Sequence, residues 1–112
     1  MKKKILKPIN NQDLLIVYRF FKANSETYTK IPITANELSK VLGYEKNDII
    51  NIICYINMQK RFKYVILGSN AGYYFINETN ISLALKILDE REDKCCSELY
   101  SINEYKEKVE SL

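Results

Sequence analysis

A chain of 112 residues, 46% of them hydrophobic, closes one modest core, and no apolar run reaches the ~18 residues of a membrane-crossing helix. The start, MKKKILKPINNQD, is basic but has no hydrophobic region or small-residue cleavage site, so the expectation is a cytoplasmic protein without membrane contact. Beneath the formal net charge of +3, twelve Lys and Arg face five Asp and Glu through Lys63, a net +7, whereas five face nine from Tyr64 onward, a net −4; that asymmetry suits a module with one part turned to phosphate and another to a partner or solvent.

Residues 1–11 read as a Lys-rich arm, with Lys2, Lys3, Lys4 and Lys7, in which Pro8 discourages helix. From Gln12, the spacing of Leu14, Leu15, Tyr18 and Phe21 predicts a first helix ending near Ala23 to Ser25, with Asp13 placed where a carboxylate favours the helix dipole. Glu26 to Pro32 reads as turn and β-branched chain. Ile31-Pro32-Ile33 is extended, because the residue before proline avoids the helical region, and predicts a very short strand.

Thr34-Ala35-Asn36-Glu37 has the form of a capping box for a second helix through Leu42, whose apolar face is Leu38, Val41 and Leu42. Gly43 stands where a left-handed C-cap is cheapest. After Tyr44, a third helix is expected from about Glu45 to Gln59, with Ile49, Ile52, Ile53 and Ile56 as its buried stripe. Lys60 to Lys63 breaks the pattern. Tyr64-Val65-Ile66-Leu67 and Tyr73-Tyr74-Phe75-Ile76 then predict two strands joined through Gly68-Ser69-Asn70-Ala71-Gly72.

From Thr79 to Leu112 the apolar residues Ile81, Leu85, Leu88, Cys95, Leu99, Ile102 and Val109 recur at helical steps. The charged run at 89–94, DEREDK, interrupts the stripe, and Ser101-Ile102-Asn103 is a point where the helix divides in two. The expected domains are a basic arm over 1–11, a folded unit over 12–78 and a C-terminal helical extension over 79–112.

The three cysteines, Cys54, Cys95 and Cys96, are an odd number and stand in a chain without histidine, so zinc spacing is missing and reduced thiols are expected. No phosphate-cradling glycine motif and no paired ligand set is present. An enzyme is therefore not expected, nor a metal, a cofactor or a small-molecule substrate.

The order helix, Gly turn, helix, basic hinge, hairpin is that of a winged helix-turn-helix. With Glu37, Leu38, Leu42, Gly43, Ile49, Ile53, Ile56, Val65, Ile66, Ser69, Gly72, Tyr73, Tyr74, Leu85 and Arg91 in place, the stretch from Ile33 to Arg91 resembles a family of small winged-helix proteins encoded by phages and other mobile elements of low-GC Gram-positive bacteria. The resemblance implies an α+β, mainly helical fold and sequence-specific DNA binding, regulatory or replicative. One departure stands out. Relatives carry Arg or Lys on the third helix, whereas 48–59 here reads DIINIICYINMQ.

Two expectations for function follow. In the first, double-stranded DNA is the partner: Lys46, Asn47, Ile50, Asn51, Cys54, Tyr55 and Met58 form the outer face of the third helix, with amides suited to adenine and Ile50 or Met58 to thymine methyls. Lys60, Arg61 and Lys63 would neutralise phosphates, and Ser69 and Asn70 would lie over the backbone at the hairpin tip. In the second, the same uncharged face binds and inhibits a host or phage protein that handles nucleic acid, such as a defence nuclease. Either leaves room for a homodimer through Leu85, Leu88, Leu99 and Ile102, with packing of the tail against the first helix as the intramolecular alternative.

Overall fold

The computed structural model describes residues 10–90 and 102–112. Among them run α1 (Asn11–Ala23), α2 (Ser25–Tyr28), α3 (Ala35–Leu42), α4 (Lys46–Met58), β1 (Val65–Ser69), β2 (Gly72–Ile76), α5 (Ile81–Glu90) and α6 (Ile102–Glu110), a small α+β fold that is mainly helical. None of the described helices is long and apolar enough to cross a membrane.

Local chemistry accounts for most of the boundaries. Asn10 caps α1 by accepting from the Gln12 N–H at 2.9 Å, and Asp13 and Lys22 lie at the ends of the helix that suit their charges. Asn10 and Asn11 thus belong to the folded unit and not to the arm; Lys2, Lys3, Lys4 and Lys7 lie outside the described residues. The capping box of α3 is complete: Glu37 N–H donates to Thr34 Oγ1 at 3.1 Å and Thr34 N–H to Glu37 Oε1 at 3.0 Å. Gly43 ends the helix at φ +80°, with its N–H on the Ser39 carbonyl at 2.9 Å.

One helical turn, α2, stands where the sequence reads as turn and β-branched chain. It is held by side-chain bonds that propensity does not register: Asn24 Nδ2 donates to the Phe20 carbonyl at 2.8 Å, closing α1, and Thr29 Oγ1 donates to the Ser25 carbonyl at 2.7 Å. The extended Ile31-Pro32-Ile33 becomes a single bridge rather than a strand. Ile33 N–H donates to Tyr73 O at 3.0 Å and Tyr73 N–H to Ile33 O at 2.7 Å, along the free edge of β2.

The strands pair antiparallel from Val65↔Ile76 to Ser69↔Gly72, leaving a two-residue tip of Asn70 and Ala71. Gly72 has φ +135°, and a Cβ there would meet Ile33 O at 2.8 Å, so the bridge needs glycine on both counts.

Alternation along the strands gives the hairpin two apolar faces. Ile66 and Phe75 face a core built with Leu14, Val17, Phe21, Leu38, Ile49, Ile53 and Ile56 from α1, α3 and α4. Val65, Leu67 and Ile76 face a second core completed by Ala84, Ile87 and Leu88 of α5 and Tyr105 and Val109 of α6. The described parts of the tail, α5 and α6, therefore lie on the far face of the hairpin and not on the first helix, the intramolecular alternative raised by the sequence. A strand residue one position along from a core residue must find a second cover, and α5 with α6 supplies it.

This placement changes the reading of the expected dimer stripe. Leu88 is 1% exposed within the second core and so is not presented to another chain, whereas Leu85 packs against that core with part of its surface left exposed. Leu99 lies outside the described residues, and Ile102 begins α6.

Candidate functional site

The outer side of α4 is defined by what its inner side must do. Ile49, Ile52, Ile53, Ile56 and Asn57 are buried, which turns Lys46, Asn47 and Ile50 outward. Asn57 was not among the residues singled out in the sequence, although its place four residues after Ile53, a polar side chain on an apolar stripe, was the available signal. Its amide acts as a strand substitute: Ile66 N–H donates to Asn57 Oδ1 at 2.9 Å and Asn57 Nδ2 donates to Ile66 O at 2.8 Å. Those are the groups of Ile66 that β2 leaves unpaired in an antiparallel ladder. Asn57 Nδ2 also reaches Tyr105 Oη at 3.3 Å, so α4, the hairpin and α6 meet at one buried amide.

The other end of α4 is tied to α1. Tyr44, in the turn before α4, donates its hydroxyl to Asp13 Oδ1 at 2.6 Å, and Ser39 Oγ donates to the Tyr44 carbonyl. Burial, followed by the Asp13 carboxylate, pushes the Tyr44 pKa up to about 12.

Between these anchors the expected contact residues separate. Lys46, Asn47 and Ile50 are exposed, and Asn51 and Cys54 are half-buried beside them. Tyr55 packs against the first core, which takes it out of the outer face. Met58 lines an open cavity of about 640 Å³ between the chain after α4 and α6, together with Phe62, Glu104, Glu107 and Leu112. The last turn of α4 therefore borders a recess in front of α6, and the exposed residues of the helix are Lys46, Asn47 and Ile50 in its first turns.

The basic hinge is divided as well. Arg61 donates from Nε to Gln59 Oε1 at 2.6 Å and from Nη2 to Asn11 Oδ1, and its guanidinium lies 4.6 Å from the Phe62 ring centroid. Lys63 pairs with Glu78 at 3.2 Å, and that hydrogen bond holds the lysine above its ordinary range. Lys60 is exposed at the rim of the cavity. Ser69 is occupied in shaping the tip, with Oγ donating to Gly72 O at 2.9 Å and accepting from Ala71 N–H at 3.2 Å, whereas Asn70 is exposed at the apex.

Lys108 of α6, which the sequence reading passed over, closes α4. Its Nζ donates to Asn57 O at 2.8 Å and Gln59 O at 3.1 Å, satisfying carbonyls at the helix end that have no intrahelical partner. Burial pulls its pKa down to about 8.

Among the described residues no cluster of three or more His, Cys, Asp or Glu side chains is placed to hold a metal. Comparison of the chain with protein-family models, with curated proteins and with solved structures gave no match.

Proposed function

We propose that the chain is a winged helix-turn-helix DNA-binding protein, with α3 and α4 as the helix pair, Ile33 and the β1–β2 hairpin as the wing, and α5–α6 as a C-terminal extension bracing both. The observation that carries this reading is the open face of α4. Lys46, Asn47 and Ile50 are exposed, with Asn51 half-buried beside them, on the second helix of a pair joined by the Gly43 turn. A helix so presented fits the major groove, and Asn70 at the hairpin tip suits the neighbouring backbone. The resemblance to phage and mobile-element proteins supports a regulator of transcription or replication.

Fluorescence anisotropy with short duplexes over a range of salt tests it. With Lys46, Lys60 and one or two arm lysines as phosphate contacts, the logarithm of affinity should fall against the logarithm of salt with a slope of about −3 to −4. No salt-dependent binding to any duplex at low ionic strength sinks the proposal.

A second reading, binding to a host or phage protein, is favoured by one observation: from Asn47 to Met58 the helix carries no cation, and Arg61 and Lys63 are engaged within the chain. A protein that stays bound through nuclease treatment, and is released by Ile50→Asp, would put this reading first.

A further inference from the structure

Three asparagines lie on α4, and the structure treats them differently. Asn57 is 1% exposed and bonded at both ends of its amide. The side-chain amides of Asn47 and Asn51 make no hydrogen bond among the described residues, although Asn51 is half-buried. Such amides retain a donor and an acceptor for an outside partner. Between them stands Ile50, 38% exposed, whereas Ile49, Ile52, Ile53 and Ile56 are each 3% exposed or less.

This rests on the DNA-binding reading. A carboxamide matches the N6 donor and N7 acceptor of adenine, and an aliphatic side chain meets the thymine methyl; the two acceptors of guanine call instead for Arg or Lys. The face from Asn47 to Cys54 offers neither, and the nearby Arg61 is held by Gln59 and Asn11. Lys46 is exposed at the first position of α4, beside the N-cap Glu45. Beyond Cys54, Met58 is half-buried and faces the recess beside α6, where Glu104 and Glu107 stand among Lys60, Lys63 and Lys108. The exposed residues of the helix, Lys46, Asn47 and Ile50, all lie in the first half of α4. Asn47 and Asn51 are four residues apart, about 6 Å along the axis, or about two base-pair steps.

We infer that α4 selects a block of about three consecutive A·T base pairs, with Asn47 and Asn51 each on an adenine edge and Ile50 against a thymine methyl.

Selection of bound duplexes from a random-sequence pool tests this, followed by affinities for single substitutions in the selected block. The expected result is an A·T block in which one G·C replacement weakens binding about tenfold or more. Replacing thymine by deoxyuridine at the Ile50 position should weaken it about fourfold, the effect of one buried methyl. Asn51→Ala should flatten the preference at one position and leave the salt slope unchanged, a split that a misfolded variant would not give. Salt-dependent duplex binding without base preference, or with guanine preferred, overturns the inference and leaves the DNA-binding reading standing. No salt-dependent binding to any duplex overturns both, as does recovery of a protein partner on this face in place of DNA.

Discussion

The two faces of the hairpin are completed by different means. The face with Ile66 and Phe75 meets a core full of rings: Phe75 stacks on Phe21 at 6.4 Å between centroids and takes the edges of Tyr18 and Tyr64 at 6.1 and 5.4 Å. The face with Val65, Leu67 and Ile76 meets the smaller aliphatic residues of α5 and α6, with Tyr105 as the one buried ring there among the described residues. Offset and edge-on ring pairs fix orientation as well as burying area, so the first core sets α1 against the hairpin. The second core acts as a buttress, and it reaches α4 through polar groups, Tyr105 on Asn57 and Lys108 on the helix end. Shape is set on one side of the sheet and alignment is held from the other.

The largest expected effect tests whether the two sides are one cooperative body. Phe21→Ala, which removes a fully buried ring from the first core, should cost about 3–5 kcal/mol, and Leu88→Ala in the second about 2–5 kcal/mol. Urea unfolding followed by circular dichroism should show a single transition in both variants, because β1 and β2 belong to both cores. A separate early transition in Leu88→Ala would break that comparison and make the buttress a unit of its own.

Asn57→Leu comes next. It removes the partner of both Ile66 backbone groups and of Tyr105, and leaving such buried groups unsatisfied costs about 1–3 kcal/mol each. Hydrogen exchange at the Ile66 amide should accelerate more than at Leu67, whose pairing lies on the β2 side. Equal protection in the variant would mean that the amide does not join the two halves.

The smallest effect is in pH, and the two regions respond with opposite sign. Lys108 titrates at about 8 in the fold against 10.5 free, so between these values the unfolded chain holds the extra proton and stability rises with pH. Tyr44 titrates at about 12 against 10.0, so its contribution is complete below about pH 10 and is lost as pH climbs through 12. Stability should therefore climb from about pH 8 and fall beyond about pH 10. Lys108→Met should remove the climb and Tyr44→Phe should lessen the fall; unchanged profiles would show that these ties do not titrate as their surroundings require.

Much of the first region is readable in the chain. The capping box at Thr34 and Glu37, the Gly43 turn, the isoleucine stripe of α4 and the paired β-prone runs are local signals, and each became the element it predicts within a residue or two. The second region is not readable in the same way. Leu85 and Leu88 have the spacing of an interhelical seam whether the partner is another chain or the sheet of their own, and periodicity alone does not separate the two. For the candidate site, the helical steps from Asn47 to Met58 put six residues on one side of a helix, but Tyr55 then packs against the first core and Met58 borders the recess beside α6.

The sequence by itself determined that α1, α3, α4 and the hairpin form, where α3 begins and ends, and which side of α4 is apolar, because capping, glycine conformation and hydrophobic period act over a few residues. Only the tertiary structure decided that the tail covers the far face of the hairpin, that Asn57 serves as the strand β1 lacks, and that Arg61 and Lys63 are engaged within the chain. Those outcomes depend on groups brought together from different elements, from 9 residues apart for Asn57 with Ile66 to 48 for Asn57 with Tyr105 and 50 for Arg61 with Asn11, and no rule of period or capping sees such pairings.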